Sequence, residues 1–225
     1  LHKAIRRQRQ MCIRDRCWDG FIMRLLLSFI RFVPILLFYP IYRNNILLQE
    51  DVVRWTKSEC SYLKKIIILL SEYKEFRNLF IYRNRYAKPH RLFCKWVALW
   101  YPPEKTLYIE CPDIGGGFYI QHGFATYIAA QKIGKNFSVN QQVTIGYNDD
   151  MKSPIIGDNV MIMCGAKVLG GITIGNNTRI GANAVVIRDY KRGYGVLVGV
   201  PAVPKNESTK ERLKALNIDF DESLF

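Results

Sequence analysis

The sequence predicts an α+β protein in which a helical N-terminal region precedes a parallel β-helix of hexapeptide repeats. The main observation is a ladder of aliphatic residues six positions apart, a period that fits neither an α-helix nor an ordinary strand. Two further observations are apolar residues at helical spacing before the ladder and a positive charge concentrated in the same N-terminal part. The rungs of the ladder are Ile156, Ile162, Val168, Ile174, Ile180 and Val186.

Each repeat has the composition of a short strand followed by a corner. The fourth position after a rung is small or β-branched, and glycine directly follows three rungs, at Gly157, Gly175 and Gly181. Stacked in threes, such hexapeptides form a triangular prism with a continuous apolar core. The same spacing continues upstream through Ile133, Val139 and Ile145, and more loosely through Ile114 and Ile120.

Two irregularities interrupt the ladder. Ile145 and Ile156 are eleven positions apart, so five extra residues within 146–155 are expected to form a loop. Ile120 and Ile133 are thirteen positions apart instead of twelve, which places one extra residue just after His122. Insertions in solenoids form loops on one face, often the binding face. Both irregularities therefore indicate a functional site near His122.

Four segments are expected along the chain. Residues 1–22 resemble translated adapter sequence and are interpreted as an artefactual or disordered leader. Residues 23–107 are predicted to be helical, 108–204 to form the β-helix, and 205–225 to be a C-terminal tail. Within the helical region, Leu63, Ile66, Ile67 and Leu70 keep helical spacing.

Two apolar segments of the helical region leave several interpretations open. Residues 24–43 combine aliphatic and aromatic residues with Arg31 and Pro34, and residues 91–101 are aromatic and basic. One interpretation of both segments is helices packed on the rest of the protein. Another is peripheral contact with an anionic membrane surface, at the inner face of the membrane. For residues 24–43 a membrane span is a third, against which the charge of Arg31 and the helix-breaking Pro34 count.

The net charge of +14 belongs to the part of the chain before the β-helix. Residues 1–20 carry +4 and residues 21–107 carry +9, against +2 for residues 108–204. Because the predicted β-helix is nearly neutral and no nucleic-acid-binding motif occurs, no nucleic-acid partner is expected. The six cysteines lack metal-ligand or CxxC spacing, which predicts reduced thiols in a cytoplasmic protein and no metal site.

The repeat region resembles the hexapeptide-repeat acyltransferases, in particular the serine acetyltransferases and their relatives in surface-polysaccharide gene clusters. The resemblance covers residues 109–205 and implies a left-handed β-helix that uses acetyl-CoA. It is carried by Ile114-Gly-Gly-Gly-Phe-Tyr-Ile-Gln-His122-Gly, Ile133-Gly-Lys-Asn, Gln142-Val-Thr-Ile-Gly146, Ile156-Gly-Asp-Asn-Val160, Gly165-Ala-Lys-Val-Leu-Gly-Gly-Ile172 and Gly199-Val-Pro-Ala202.

Acetyl transfer from a thioester to a hydroxyl requires a base for the hydroxyl proton, and histidine suits this role because its pKa is near neutrality. Of the three histidines, only His122 lies in the ladder. The resemblance also places the family's catalytic base at His122, with direct transfer and no acyl-enzyme. The family's orienting aspartate is not in register here, so Glu110 and Asp113 are both candidates for the carboxylate that orients His122.

The acceptor-binding positions depart from the serine acetyltransferase pattern. Gln121 replaces the aspartate before the histidine, and Lys152-Ser153 replaces the Arg-His of the long loop. Glutamine supplies no charge for an ammonium group, and lysine lacks the bidentate fork of arginine. A sugar hydroxyl on a surface-polysaccharide precursor is therefore the alternative to L-serine as acceptor.

The resemblance implies an acetyl-CoA site in a groove between two subunits of a homotrimer. The matching positions are small-residue corners and one lysine near the CoA phosphates, namely Cys164, Gly165, Ala182, Gly199, Ala202 and Lys205. A non-catalytic β-helix scaffold is the alternative from another class. A γ-type carbonic anhydrase is excluded because it needs three zinc-binding histidines and the ladder has one.

Overall fold

The computed structural model describes residues 30–85, 90–148 and 151–205 of the chain. The predicted architecture is confirmed. In the described part of the chain, the five helices numbered α1 to α5 below precede a parallel β-solenoid of about five turns that matches a left-handed β-helix. The predicted leader and residues 206–225 of the tail lie outside the described residues, and the limits of the four segments stay predictions. Within the described ranges, no helix has both the length and the apolar character needed to cross a bilayer.

Helices account for most of the described residues between 30 and 100. Residues 30–37 are helical. They are followed by α1 (Tyr39–Arg43), α2 (Ile46–Trp55), α3 (Tyr62–Glu72), α4 (Lys74–Asn84) and α5 (His90–Trp100).

Local signals account for two of these helices. Asn45 caps α2, because its side-chain oxygen accepts the Leu48 N–H at 3.2 Å. The expected spacing in α3 is confirmed, since Ile66 and Leu70 are fully buried while Lys64 is exposed. Burial of one apolar face against the other helices stabilises α3.

The solenoid contains fourteen short strands. They are β1 (Leu107–Ile109), β2 (Tyr119–Ile120), β3 (Thr126–Ile128), β4 (Lys132–Ile133), β5 (Ser138–Val139), β6 (Thr144–Gly146), β7 (Ile155–Ile156), β8 (Met161–Ile162), β9 (Lys167–Leu169), β10 (Thr173–Ile174), β11 (Arg179–Ile180), β12 (Val185–Val186), β13 (Val196–Val198) and β14 (Val203–Pro204).

Three sheets form the faces of a triangular prism. Face 1 has the order β1-β3-β6-β9-β12, face 2 has β4-β7-β10, and face 3 has β2-β5-β8-β11-β13. Pairing is parallel throughout these faces, and only β14 runs antiparallel, on β13. Isolated bridges from Ile114 to Ile133 and from Ile174 to Tyr190 extend face 2 at both ends.

The ladder predicted from the sequence forms the core of the prism. All six rungs from Ile156 to Val186 are at most 2% exposed. Rungs of successive coils pair directly across the strands, as Ile145 does with Val168 on face 1 and Ile162 with Ile180 on face 3. Each rung therefore packs on the rung of the next coil, which makes the core continuous.

Both predicted irregularities are present, and the structure refines one of them. The described residues 147–148 and 151–154 lie in the predicted loop between β6 and β7. At His122, the inward residue between Ile120 and Ile133 is Ile128, which pairs with Ile145. The corner after Ile120 is thus two residues longer than a regular repeat, and the following corner is one residue shorter.

The helical region docks on the first coil through a buried ion pair. Arg83 of α4 and Asp51 of α2 approach to 2.7 Å, with side chains 3% and 0% exposed. Arg83 also donates to the Gly115 carbonyl at 2.6 Å, and Asp51 accepts the Phe118 N–H at 2.8 Å. Burial raises the pKa of the Asp51 carboxyl, while the hydrogen bonds from Arg83 and Phe118 oppose that rise.

Candidate active site

The prism has three edges, and two of them carry the predicted site residues. The His122 edge joins face 3 to face 1 and comprises residues 121–125, 140–143, 163–166, 181–184 and 199–202. The loop edge joins face 1 to face 2 and comprises residues 110–113, 129–131, 147–154, 170–172 and 187–189.

His122 lies in the lengthened corner between β2 and β3. Its side chain is exposed, and in the described part of the chain no hydrogen bond or ion pair involves the imidazole. The backbone of His122 has φ +53° and that of Ala125 has φ +51°. Such conformations are uncommon for residues other than glycine, but here they recur at regular corners such as Asn159 and Asn177, so they mark the turn of the prism.

The His122 corner is fixed by contacts with the segment before β1. The Ala125 N–H donates to Thr106 Oγ1 at 2.9 Å, and the Thr106 hydroxyl donates to Glu104 Oε1 at 2.8 Å. The side-chain amide of Asn78, on α4, holds the Glu104 backbone: its oxygen accepts the Glu104 N–H at 2.8 Å, and its nitrogen donates to the Glu104 carbonyl at 3.0 Å. The helical region thereby positions the loop that carries His122.

The side chain of a glutamate that the sequence did not indicate also reaches this corner. Gly123 follows His122, and a Cβ atom at Gly123 would be 3.3 Å from Glu75 Cγ of α4. The same Cβ would be 2.9 Å from Ile120 Cγ2 and from Leu107 Cδ2, so glycine is required for this packing. No motif surrounds Glu75, and only the docking of α4 brings it here.

The predicted acetyl-CoA residues at small corners share the His122 edge. Successive corners are connected by backbone hydrogen bonds from Gly165 N–H to Gln141 O at 3.0 Å and from Asn183 N–H to Cys164 O at 2.9 Å. Val185 N–H donates to Gly199 O at 3.0 Å, and Ala202 N–H donates to Val185 O at 2.8 Å. Cys164, Gly165, Ala182, Gly199 and Ala202 therefore form one column below His122.

Lys205 has a different place in the fold. Because β14 runs back across face 3, the Lys205 N–H donates to Val196 O at 2.8 Å, at the start of β13. The Lys205 backbone thus pairs with the start of β13 on face 3, and its role at the CoA phosphates stays a prediction. Lys167 contacts the His122 edge, since its ammonium donates to Gln142 O at 2.8 Å.

The two predicted carboxylates lie on the loop edge and contact other groups. The Glu110 carboxylate accepts a short hydrogen bond from the Tyr127 hydroxyl, which raises the pKa of Tyr127 to about 12. Asp113 pairs with Lys132 at 3.2 Å, with both side chains exposed. Among the described residues of one chain, the hydrogen bonds and ion pairs of Glu110 and Asp113 do not include His122.

The predicted acceptor residues are divided between the two edges. Gln121 adjoins His122, whereas Lys152 and Ser153 belong to the loop edge. There the loop packs over the next coil, since a Cβ at Gly171 would be 2.7 Å from Lys152 Cβ. Among the described residues, no group of three or more His, Cys, Asp or Glu side chains could hold a metal ion.

Comparisons with known proteins agree with this architecture. Residues 153–188 match the family model described as bacterial transferase hexapeptide (six repeats). A serine acetyltransferase of Staphylococcus xylosus is 44% identical over 93 residues, which are 40% of this chain and 43% of that protein. The chain thus aligns with less than half the length of this curated relative.

Solved structures share the fold. A serine acetyltransferase from Brucella abortus strain S19 has a TM-score of 0.58 at 22% identity, covering 79% of this chain and 74% of that chain. A serine acetyltransferase in complex with CoA has a TM-score of 0.51 at 21% identity, covering 72% of each chain. The fold and the repeats define the class of structure, a hexapeptide-repeat β-helix, of which residues 153–188 match the bacterial transferase hexapeptide model. Within that class, the chain resembles the serine acetyltransferases.

Proposed function

We propose that this protein is an acetyl-CoA-dependent O-acetyltransferase with His122 as its general base. The observation that carries the proposal is the His122 edge, where an exposed imidazole on left-handed backbone stands above a column of small-residue corners. The sequence similarity of the repeat region to serine acetyltransferases supports the same reaction.

In the proposed reaction, an imidazole nitrogen of His122 takes the proton of the acceptor hydroxyl. The acceptor oxygen forms a bond to the thioester carbonyl carbon, and the carbonyl π electrons move to oxygen to give a tetrahedral oxyanion. Collapse of this oxyanion breaks the carbon–sulfur bond. The proton on His122 passes to the departing thiolate, and the products are the acetyl ester and CoA.

Three carboxylates are candidates to orient the imidazole. Glu110 and Asp113 were expected from the sequence, but both lie on the loop edge with other partners. Glu75 packs against the residue that follows His122. We therefore propose Glu75 as the orienting carboxylate within one chain, with Glu110 and Asp113 as candidates only if a second chain brings its loop edge to His122.

The division of the site between two edges supports a homotrimer. In one chain, face 1 separates the His122 edge from the loop with Lys152 and Ser153. Apposition of the His122 edge of one subunit and the loop edge of the next would unite the predicted residues of both edges. Acetyl-CoA would then lie in the groove between the subunits, along Cys164, Gly165, Ala182, Gly199 and Ala202.

L-serine and a sugar hydroxyl are both candidate acceptors. Gln121 is uncharged, and face 1 carries a tyrosine pair, Tyr108 and Tyr127, with ring centroids 6.0 Å apart and Tyr108 54% exposed. Exposed aromatic rings offer an apolar face with a polar tip, which suits the C–H face of a sugar ring. This pair favours a glycan acceptor as the second candidate.

The decisive experiment measures thiol release from acetyl-CoA with L-serine and with a panel of sugar and glycan acceptors. We expect acceptor-dependent turnover that falls by at least about 100-fold in His122→Ala, since general bases contribute about 10²–10⁴-fold. A chain that releases no thiol with any acceptor would support the structural scaffold instead. Turnover with L-serine alone would exclude the glycan acceptor.

A subunit-mixing experiment tests the shared site. Trimers formed from inactive His122→Ala chains and inactive Lys152→Ala/Ser153→Ala chains should regain part of the activity, because some interfaces combine two intact edges. Sedimentation measurements should show three copies of the chain. Absence of both results would refute the two-edge site while leaving the acetyltransfer assay unaffected.

A further inference from the structure

Two helices of the N-terminal region pack side by side and run antiparallel. Phe38, which follows helical residues 30–37, stacks on Phe93 of α5 with ring centroids 4.6 Å apart. At the other end, the Arg31 guanidinium lies 4.2 Å from the ring centroid of Tyr101. The inner sides of the two helices contribute Ile35, Phe93 and Val97 to the core.

The outer side of α5 is apolar although it faces solvent. Leu92 is 75% exposed, Trp96 46% and Leu99 76%, and their spacing of four and three residues places them on one helical stripe. Lys95 lies on the same side and is exposed. An amphipathic helix of a soluble monomer normally presents the reverse arrangement, with polar residues outward.

The neighbouring helical segment shows the same inversion. Ile30, Val33, Leu36 and Leu37 are 43%, 43%, 52% and 69% exposed, whereas Ile35 on the opposite side is fully buried. Single exposed apolar residues are ordinary, but two adjacent helices with exposed apolar stripes indicate an interaction surface. We call the seven exposed apolar residues of the two helices the apolar surface, namely Ile30, Val33, Leu36, Leu37, Leu92, Trp96 and Leu99.

The charge around the apolar surface identifies the chemistry of its partner. Residues 30–49 and 90–103 contain no aspartate or glutamate, while Lys95 and Arg43 are exposed within them. An apolar face with cations and a tryptophan, and without acids, matches an interfacial helix on a bilayer that contains anionic lipid. A protein interface requires no such exclusion of acidic residues.

We propose that α5 and helical residues 30–37 bind the surface of an anionic lipid bilayer. Leu92, Trp96 and Leu99 enter the boundary between headgroups and acyl chains, and Lys95 contacts the lipid phosphates. The bound α5 lies parallel to the membrane plane, since a helix of eleven residues is too short to span a bilayer. This inference does not depend on the proposed acetyl transfer.

The test uses the full chain and vesicles of phosphatidylcholine with or without 30% phosphatidylserine. The wild-type protein should sediment with the anionic vesicles at least about tenfold more than with neutral ones, and added salt should weaken binding. Tryptophan fluorescence should shift to the blue on binding, and Trp96→Phe should lose most of the shift. Equal sedimentation with both vesicle types, or none, would overturn the proposal.

Matched variants separate a lipid surface from a protein interface. Leu92→Ser/Trp96→Ser/Leu99→Ser should abolish vesicle binding, whereas Ile46→Ser/Val53→Ser, at positions 67% and 68% exposed on α2, should not alter it. Circular dichroism should show that both variants are folded. If the triple variant keeps vesicle binding, or changes the number of chains in the assembly, the apolar surface serves another partner and the proposal is wrong.

Discussion

Asp51 and Arg83 form a buried ion pair that joins two helices of the N-terminal region to the first coil of the prism. Besides the 2.7 Å contact between them, Arg83 donates to the carbonyls of Ile114 and Gly115, and Asp51 accepts the backbone N–H of Phe118. These two side chains satisfy backbone groups at the end of the β-helix that have no further coil to pair with.

We expect Asp51→Ala to destabilise the protein strongly, because it leaves the Arg83 guanidinium buried without its carboxylate. The free energy of unfolding in urea should fall by about 3–5 kcal/mol. Lys132→Ala is the control, since it removes an ion pair whose side chains are 65% and 59% exposed. That change should cost less than about 1 kcal/mol. Equal effects of the two variants would contradict the docking role of Asp51.

Gly165→Ala should damage the His122 edge. Gly165 has φ +72°, and an added Cβ would lie 2.1 Å from the side-chain oxygen of Asn183. The left-handed backbone alone costs a residue with a side chain about 1–2 kcal/mol. The melting temperature should fall, and the KM for acetyl-CoA should rise. Gly146→Ala is the matched control, because a Cβ there would meet no atom within 4 Å.

Replacement of Glu75 tests its proposed action through His122. Glu75→Gln keeps the shape of the side chain and removes its charge, so kcat should fall by up to about 100-fold with little change in the KM for acetyl-CoA. Because the proposal places the Glu75 carboxylate next to the imidazole, the acidic limb of the pH profile of kcat should also move when that charge is removed. Glu72→Gln, at an exposed position at the end of α3, should have neither effect. An unaltered pH profile in Glu75→Gln would assign Glu75 a purely structural role.

Two buried thiols should make stability depend on pH in the alkaline range. Burial raises the pKa of Cys94 and of Cys111 from 9.0 to about 11 in the folded protein. The neutral thiol is therefore favoured by folding, so this stabilisation is complete below pH 9 and is lost as the pH rises through 11. Between pH 9 and pH 11 the free energy of unfolding falls as the pH rises, and each thiol should contribute up to about 1.4 kcal/mol per pH unit to that fall. Urea unfolding of Cys94→Ala should show a shallower decline than the wild type.

The repeating part of the fold could be predicted because its determinants are local. A rung such as Ile162 points inward for the same reason as Ile180, and the sequence period alone places one above the other. The corner at His122 was less predictable. The extra length was visible, but Ile128 as the intervening inward residue depends on pairing with Ile145 in the next coil.

Only part of the candidate site could be predicted from the sequence. His122 and the small corners from Cys164 to Ala202 were identified from the sequence, and they share one edge in the structure. Glu75, which we propose as the orienting carboxylate, was not indicated because 47 positions separate it from His122 and no pattern surrounds it. Lys205 stays a prediction for the CoA site, and the reversal of direction in β14, which pairs its backbone with the start of β13, was not expected from the repeat.

By itself, the sequence determined that this chain forms a hexapeptide-repeat prism and that His122 is the histidine within the repeats, since both follow from residue types at short, regular spacing. The tertiary structure decided which residues share an edge, because edge membership depends on the number of residues in each coil. It also decided that Glu75 meets the His122 corner and that Leu92, Trp96 and Leu99 face solvent. Those outcomes depend on how separate helices pack, which the local pattern of a sequence does not specify.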